Sequence, residues 1–232
     1  MLIVDDKWLL LGPNRHGNTF AKNVLERSFG DKARLCVPNK KHWPLCKIDP
    51  KLREGKIVVG IIRSPVMWYV SKWRRFWDDN KATPGKRYEF DEYFYRHWRN
   101  PHGPIGKNME DLPLSPAGIG GWSYKHVAYH CLDARHALAN LGTQGELAEA
   151  YPKLLSAHEM MVTENLRQDL PRVFGDRVRE LSKTMGVPNA ASHSSDAMQY
   201  CSPRILRSIR DGDGWLLKLY PNLRYATEVL ES

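Results

Sequence analysis

Short apolar runs alternating with stretches of helical period organise the first third of the chain. Residues 8–11 (Trp-Leu-Leu-Leu) form one run, residues 20–28 repeat at helical spacing, and residues 33–37 form a second short run. Residues 56–62 (Lys-Ile-Val-Val-Gly-Ile-Ile) are β-branched and almost uncharged, as a strand covered on both faces must be. Ser64-Pro65 then supplies an N-cap and a proline at the first helical position, which predicts a helix over 65–77. Residues 79–120 break the pattern. They are rich in Pro, Gly, Asn, Lys, Arg and aromatics, with one short helix expected at 91–98. A long irregular stretch of this kind is usually functional or disordered, and its aromatic content argues against disorder. Helical character returns at 122–141. A last strand is expected at 158–163, helices at 165–174 and 176–185, and Ser202-Pro203 starts a C-terminal helix. The pattern predicts one α/β domain over residues 1–232, a parallel β-sheet flanked by helices with an irregular insertion at about 79–120.

Composition changes this picture in one respect. A chain of 232 residues with 42% hydrophobic and 26% charged residues can bury an ordinary core, but its net charge of +9 favours anionic partners. Nucleic acid, acidic membranes, nucleotides and polyanionic sugars all fit that charge. The basic residues are scattered in ones and twos, which favours pockets over a tether, and no dedicated nucleic-acid motif is visible. Cys36, Cys46, Cys131 and Cys201 lack C-x-x-C spacing, so free thiols in a reducing compartment are the simplest reading, with a Cys36–Cys46 pair as the alternative. The N-terminal apolar run is too short for a leader or an anchor. A cytoplasmic protein without a membrane anchor is expected.

The most informative segment is Gly12-Pro13-Asn14-Arg15-His16-Gly17-Asn18-Thr19. A glycine-bounded loop between a strand and a helix aims backbone N–H groups and a helix N-terminus at a phosphate. The nucleotide triphosphatase form carries a lysine where Asn18 stands, so this loop suits a phosphorylated group other than a triphosphate. A second segment is Val58-Val59-Gly60-Ile61-Ile62-Arg63-Ser64-Pro65, with Ser71 eight residues beyond Arg63. Arg63 leaves the carboxyl end of a central strand, where α/β sheets bind ligands, and two helical turns bring Ser71 back to the same side. An arginine fork with a hydroxyl suits a phosphate dianion. A third segment is Lys40-Lys41-His42-Trp43-Pro44-Leu45.

Together these segments resemble the sulfotransferases that use 3′-phosphoadenosine 5′-phosphosulfate (PAPS), whose fold is P-loop NTPase-like, a three-layer α/β/α sandwich. Gly17, Thr19 and Phe20 match the family's phosphate loop, Arg15 falls at its lysine and Asn18 at a threonine. The resemblance implies that Arg15, His16, Gly17, Asn18, Thr19 and Phe20 hold the 5′-phosphosulfate and that Arg63 and Ser71 hold the 3′-phosphate. It makes His42 the base that takes the acceptor's proton, with Lys40 beside the transferring sulfuryl group and Arg15 steadying the leaving oxygen. Gly121-Trp122 with His126-Val127, and Val162-Thr163-Glu164-Asn165-Leu166, are further echoes. Those at the C-terminal end, Asn189-Ala190 with Ser192-His193 and Leu219-Tyr220 with Arg224-Tyr225, are closer to carbohydrate-type and bacterial members.

The implied activity is metal-free transfer of a sulfuryl group from PAPS to a hydroxyl or amine of a carbohydrate or small-molecule acceptor. 3′-Phosphoadenosine 5′-phosphate (PAP) is the product. Tyr93, Tyr95 and Trp98 are candidates for the acceptor wall, or else the core of a small subdomain. Two alternatives remain. One is a catalytically degenerate member of this fold that binds a nucleotide or polyanion. The other is a P-loop nucleotide kinase, which needs a loop lysine and a strand-end aspartate where this chain has Asn18 and Arg63.

Overall fold

The structure, a computed structural model, describes residues 1–13, 15–36, 42–79, 88–98, 112–113, 115–186 and 196–232. It is α/β. Strands β1 (Leu2–Val4), β2 (Trp8–Leu10), β3 (Ala33–Leu35), β4 (Ile57–Ile62) and β5 (Glu159–Val162) form a sheet in the order β3-β1-β2-β4-β5. Helices α1 (Asn18–Phe29), α2 (Pro50–Arg53), α3 (Pro65–Asp79), α4 (Phe90–Trp98), α5 (Gly121–His130), α6 (Ala134–Asn140), α7 (Gln144–Leu154), α8 (Leu166–Phe174), α9 (Arg179–Thr184), α10 (Pro203–Leu217) and α11 (Ala226–Leu230) account for most of the rest.

The sheet is mixed, which corrects the all-parallel expectation. β2 pairs with β4 and β4 with β5 in parallel, whereas β1 is antiparallel to both of its neighbours. The four strands read from the sequence therefore run one way, and the reversal belongs to β1 alone. Asp5 and Asp6 cause it. Both adopt positive φ and close a tight turn from Val4 back to Trp8, a conformation aspartate tolerates better than most residues.

Alternation along β4 distributes its side chains between two faces. Val59 and Ile61 pack with Phe20, Val24 and Leu25 of α1 and Leu170 and Phe174 of α8. Val58 packs with Leu45 and Ile48 on the other face, and Ile62 joins the aromatic core of α3, α4 and α5. Helices thus cover both faces, and the carboxyl ends of β2, β4 and β5 lie side by side, so the segments that follow them converge at one edge. α10 starts as read: Ser202 caps it through the Ile205 N–H, with Pro203 first in the helix. The expected helix over 122–141 is two helices, α5 and α6, separated at Cys131, which bridges to Leu155.

Within the insertion, α4 is core rather than wall. Phe94 is fully buried against Tyr69 with rings 5.0 Å apart, and Tyr93 meets Phe76 at 5.1 Å. The side chain of Trp98 lies outside the described residues. Cys36, Cys46, Cys131 and Cys201 are free thiols. No helix among the described residues is long and apolar enough to cross a membrane.

Candidate functional site

The glycine-bounded loop links β2 to α1, and its two glycines answer to packing. A Cβ on Gly12 would lie 1.6 Å from Oδ1 of Asn18, whose amide nitrogen donates to the carbonyls of Gly12 (2.8 Å) and Pro13 (2.7 Å). Asn18 therefore staples the loop from inside. Gly17 has φ 73°, and a Cβ there would meet Leu166 at 2.5 Å and Thr163 at 3.2 Å, so the loop is pressed onto the segment after β5. Arg15 is also left-handed, with φ 70°. α1 begins at Asn18 without a side-chain cap or an acidic residue in its first turn. Its leading N–H groups and the positive end of its dipole therefore suit an anion. Thr19 is exposed there, Phe20 is buried beneath it, and Asn14 lies outside the described residues.

Arg63 follows β4 and ties three segments together. Its Nη1 donates to the carbonyl of Arg15 at 2.9 Å, and Nε faces a carboxylate oxygen of Glu164, after β5, at 3.9 Å. Its own carbonyl accepts from the indole N–H of Trp122 on α5 at 2.8 Å. Burial lowers the Arg63 pKa and Glu164 pulls it back; burial likewise raises that of Glu164, against the pull of Arg63. Arg15 and Arg74 also press on Arg63 electrostatically. Ser71 is half-buried two turns into α3.

His42 joins the loop directly. Its Nδ1 donates to the Gly12 carbonyl at 3.1 Å, which leaves Nε2 as the lone-pair nitrogen of the neutral ring, and its own carbonyl accepts from the Tyr129 hydroxyl at 3.4 Å. Lys40, the other residue read from that segment, lies outside the described residues, as do Asn189, Ala190, Ser192 and His193.

The largest addition to the site is α5, which the sequence offered only as the Gly121-Trp122 and His126-Val127 echo and every residue of which is buried. Trp122, His126 and His130 recur at four-residue spacing and form one stripe. Trp122 reaches Arg63, His126 reaches His16 in the loop (Nε2 to Nε2, 3.2 Å), and His130 lies against Gly60 of β4. A Cβ on Gly60 would sit 3.0 Å from that ring and 2.3 Å from the Met160 sulfur, which explains a glycine in the central strand. Lys125 is completely buried, and desolvation with help from Lys72 holds its pKa well below the usual lysine value. Burial, then the charge of Arg15, lowers Lys72 to about 8. The four-residue spacing of Trp122, His126 and His130 was the available signal; Lys72 and Lys125 left none.

The N-terminus of α5 is fixed from α10. Buried Asp213 accepts from the Ser123 N–H and the Tyr69 hydroxyl, both at 2.9 Å, and a Cβ on Gly120 would collide with its carboxylate. Arg15 and Arg63 thus lie at the loop, with Lys72 in reach of the charge of Arg15 and Lys125 of that of Lys72, while Glu164 is engaged with Arg63 and Asp213 with the helix end. The arrangement can hold an anion and present a base beside it. Among the described residues no three of His, Cys, Asp and Glu are disposed as metal ligands. An open cleft of about 560 Å³, lined by Arg53, Lys56 and His158 among others, lies at the opposite ends of β4 and β5. Comparison with family models, curated proteins and solved structures gives no significant match.

Proposed function

We propose that this protein is a PAPS-dependent sulfotransferase of P-loop-like architecture. The observation that supports the reading is convergence. Three segments that resemble the family separately, around Gly12–Gly17, His42 and Arg63, are joined by direct hydrogen bonds, His42 to Gly12 and Arg63 to Arg15. An unrelated set of chance matches has no reason to be bonded together at one sheet edge.

In this reading PAPS supplies an activated sulfuryl group. The α1 amides and Arg15 bind the 5′-phosphosulfate, and Lys72 adds positive charge that offsets the charge on the sulfuryl oxygens as transfer proceeds. Arg63, with Ser71, binds the 3′-phosphate. His42 Nε2 takes the proton lost by an attacking hydroxyl or amine while Nδ1 stays anchored to Gly12. Arginine cannot readily hand on a proton, so Arg15 acts on the leaving oxygen by charge and hydrogen bonding.

A second reading, a nucleotide or polyanion binder without turnover, has one observation in its favour. Arg63 and Asn18 both direct donors at the loop's own carbonyls. Calorimetric titration with PAP, and with ATP plus magnesium alongside, tests the site. Incubation with PAPS and panels of hydroxyl and amine acceptors tests turnover. Metal-independent PAP binding with transfer is expected. PAP binding without transfer to any acceptor favours the second reading, and preference for ATP overturns the sulfotransferase reading.

A further inference from the structure

Three imidazoles form a buried chain that the proposed transfer does not use. His16, His126 and His130 are all fully buried. His16 Nδ1 is 3.2 Å from the Pro13 carbonyl, His16 Nε2 is 3.2 Å from His126 Nε2, and His126 Nδ1 is 3.2 Å from His130 Nδ1. The rings of His126 and His130 stack at 5.1 Å and 22°.

The Pro13 carbonyl can only accept, and that settles every proton in the neutral chain. His16 must carry hydrogen on Nδ1, so its Nε2 accepts and His126 Nε2 donates. His126 Nδ1 then accepts from His130 Nδ1–H, a placement that a backbone hydrogen bond between His130 and His126 also favours. The chain ends in a lone pair on His130 Nε2, which is buried and has no hydrogen-bond partner among the described residues. One proton added at that nitrogen can pass along without moving a heavy atom. It settles on His130 Nε2, the former His130 Nδ1 proton moves to His126 Nδ1, and the former His126 Nε2 proton moves to His16 Nε2. The balance is one proton taken from solvent and one positive charge on His16, inside the phosphate loop.

We infer that His16, His126 and His130 act as one proton-uptake unit of the anion site, so that a phosphorylated ligand binds together with a proton. The inference rests on the reading of the loop as a PAPS site and adds to it a cationic contact that appears only when the ligand is present. In the free protein burial opposes that charge. The ionisable side chains about the loop are Arg15 and Arg63, with Lys72 of α3 feeling the charge of Arg15 and Lys125 of α5 that of Lys72, while His42 is bonded at the loop's first glycine. The remaining faces are Trp68, Trp122, Gly60 and Met160. Burial first, then the neighbouring imidazoles, drives His126 well below the usual histidine value, and burial drives His130 to about 4; no carboxylate figures among those influences. An anion in the loop favours that charge, because it lies beside His16 and its attraction offsets the cost of burial.

The test is calorimetric titration of the whole protein with PAP at pH 6, in buffers of low and high ionisation enthalpy. The slope of binding enthalpy against ionisation enthalpy counts protons. His130→Asn serves as the control, since asparagine keeps a donor for His126 Nδ1 and lacks the basic nitrogen. The wild type is expected to take up about one proton more than His130→Asn, with PAP affinity rising up to tenfold per pH unit of acidification. Nitrogen-15 spectra of the wild-type histidines read the same event without a variant. His126 is expected to change from the Nε2–H to the Nδ1–H form on adding PAP, and His16 to become doubly protonated. PAP binding with no excess proton uptake and an unchanged His126 tautomer overturns the inference and leaves the donor-site reading standing. No PAP binding overturns the donor-site reading, and this inference with it.

Discussion

Asp213 holds α5 in place, and replacing it measures by how much. Its carboxylate accepts from the Ser123 N–H and the Tyr69 hydroxyl at 2.9 Å, and the Tyr69 oxygen accepts in turn from the Trp122 N–H at 3.2 Å. Asp213→Ala strands the Ser123 and Tyr69 donors in a dry site, at about 1–3 kcal/mol each. Against that stands the cost of the charge. Desolvation raises the Asp213 pKa from 3.8 to about 6. At about 1.4 kcal/mol per unit, the ionised group at neutral pH is disfavoured by about 3 kcal/mol relative to the unfolded chain. At pH 7 the two effects largely offset, and Asp213→Ala is expected to cost about 1–2 kcal/mol. Between pH 3.8 and 6 the folded protein binds more protons than the unfolded chain, so this group's contribution is lost as pH rises through that window. The loss in Asp213→Ala should therefore grow to about 4 kcal/mol near pH 4. Asp213→Asn keeps an acceptor for Ser123 and removes the buried charge but leaves the Tyr69 O–H without its acceptor, so it should lie closer to the wild type than Asp213→Ala does at pH 7 and lack this pH dependence. Urea unfolding of the three proteins at pH 7 and pH 4.5 decides it. Equal stability of Asp213→Ala and wild type at both values, or the wild-type pH slope surviving in Asp213→Asn, would refute the reasoning.

Arg63→Ala removes a charged donor to the loop and the proposed phosphate contact. PAP affinity should fall about 10- to 100-fold, with Arg63→Lys intermediate, and unchanged calorimetric binding would remove Arg63 from the site. For His42→Ala, kcat should drop about 10²- to 10⁴-fold with a far smaller change in PAP affinity; full turnover would end its assignment as base. Gly17→Ala combines a left-handed backbone with a Cβ 2.5 Å from Leu166, so thermal unfolding should report a loss of about 2–4 kcal/mol. His130, held at about 4 against an unfolded value of 6.5, contributes stability that is present above pH 6.5 and lost as pH falls toward 4. His130→Asn should flatten that part of the acid limb, and an unaltered acid unfolding curve would show that the ring is not buried in its neutral form.

The boundary between what was readable and what was not follows the range of the interactions. Residues 8–11, 33–37, 56–62 and 158–163 read as strands because β-branched and apolar runs encode burial locally, and β4 is as covered as its composition required. Ser202-Pro203 read as a helix start because a cap acts within one turn. Arg63 and the glycine-bounded loop were legible as chemistry because a phosphate site needs its donors at strand ends and helix starts. β1 was missed, since three residues between a terminus and two aspartates carry no period, and its pairing depends on β2 and β3 being there to receive it.

Other features depend on packing partners that the fold brings together. Gly12, Gly17, Gly60 and Gly120 look alike in the sequence. Only the fold shows that each marks a place where another side chain, Asn18, Leu166, Met160 or Asp213, occupies the space a Cβ would need. Tyr93 read as a pocket wall or as core, and it is buried against Phe76. The sequence alone determined that this chain is an α/β protein with a glycine-bounded loop between a strand and a helix and an arginine at the end of a central strand. Tertiary structure alone decided that α5 reaches that site, joining His126 and His130 to His16 of the loop, and that Lys125 is buried. Burial and hydrogen-bond direction belong to the packed chain, and neither is carried by any one residue's neighbours in sequence.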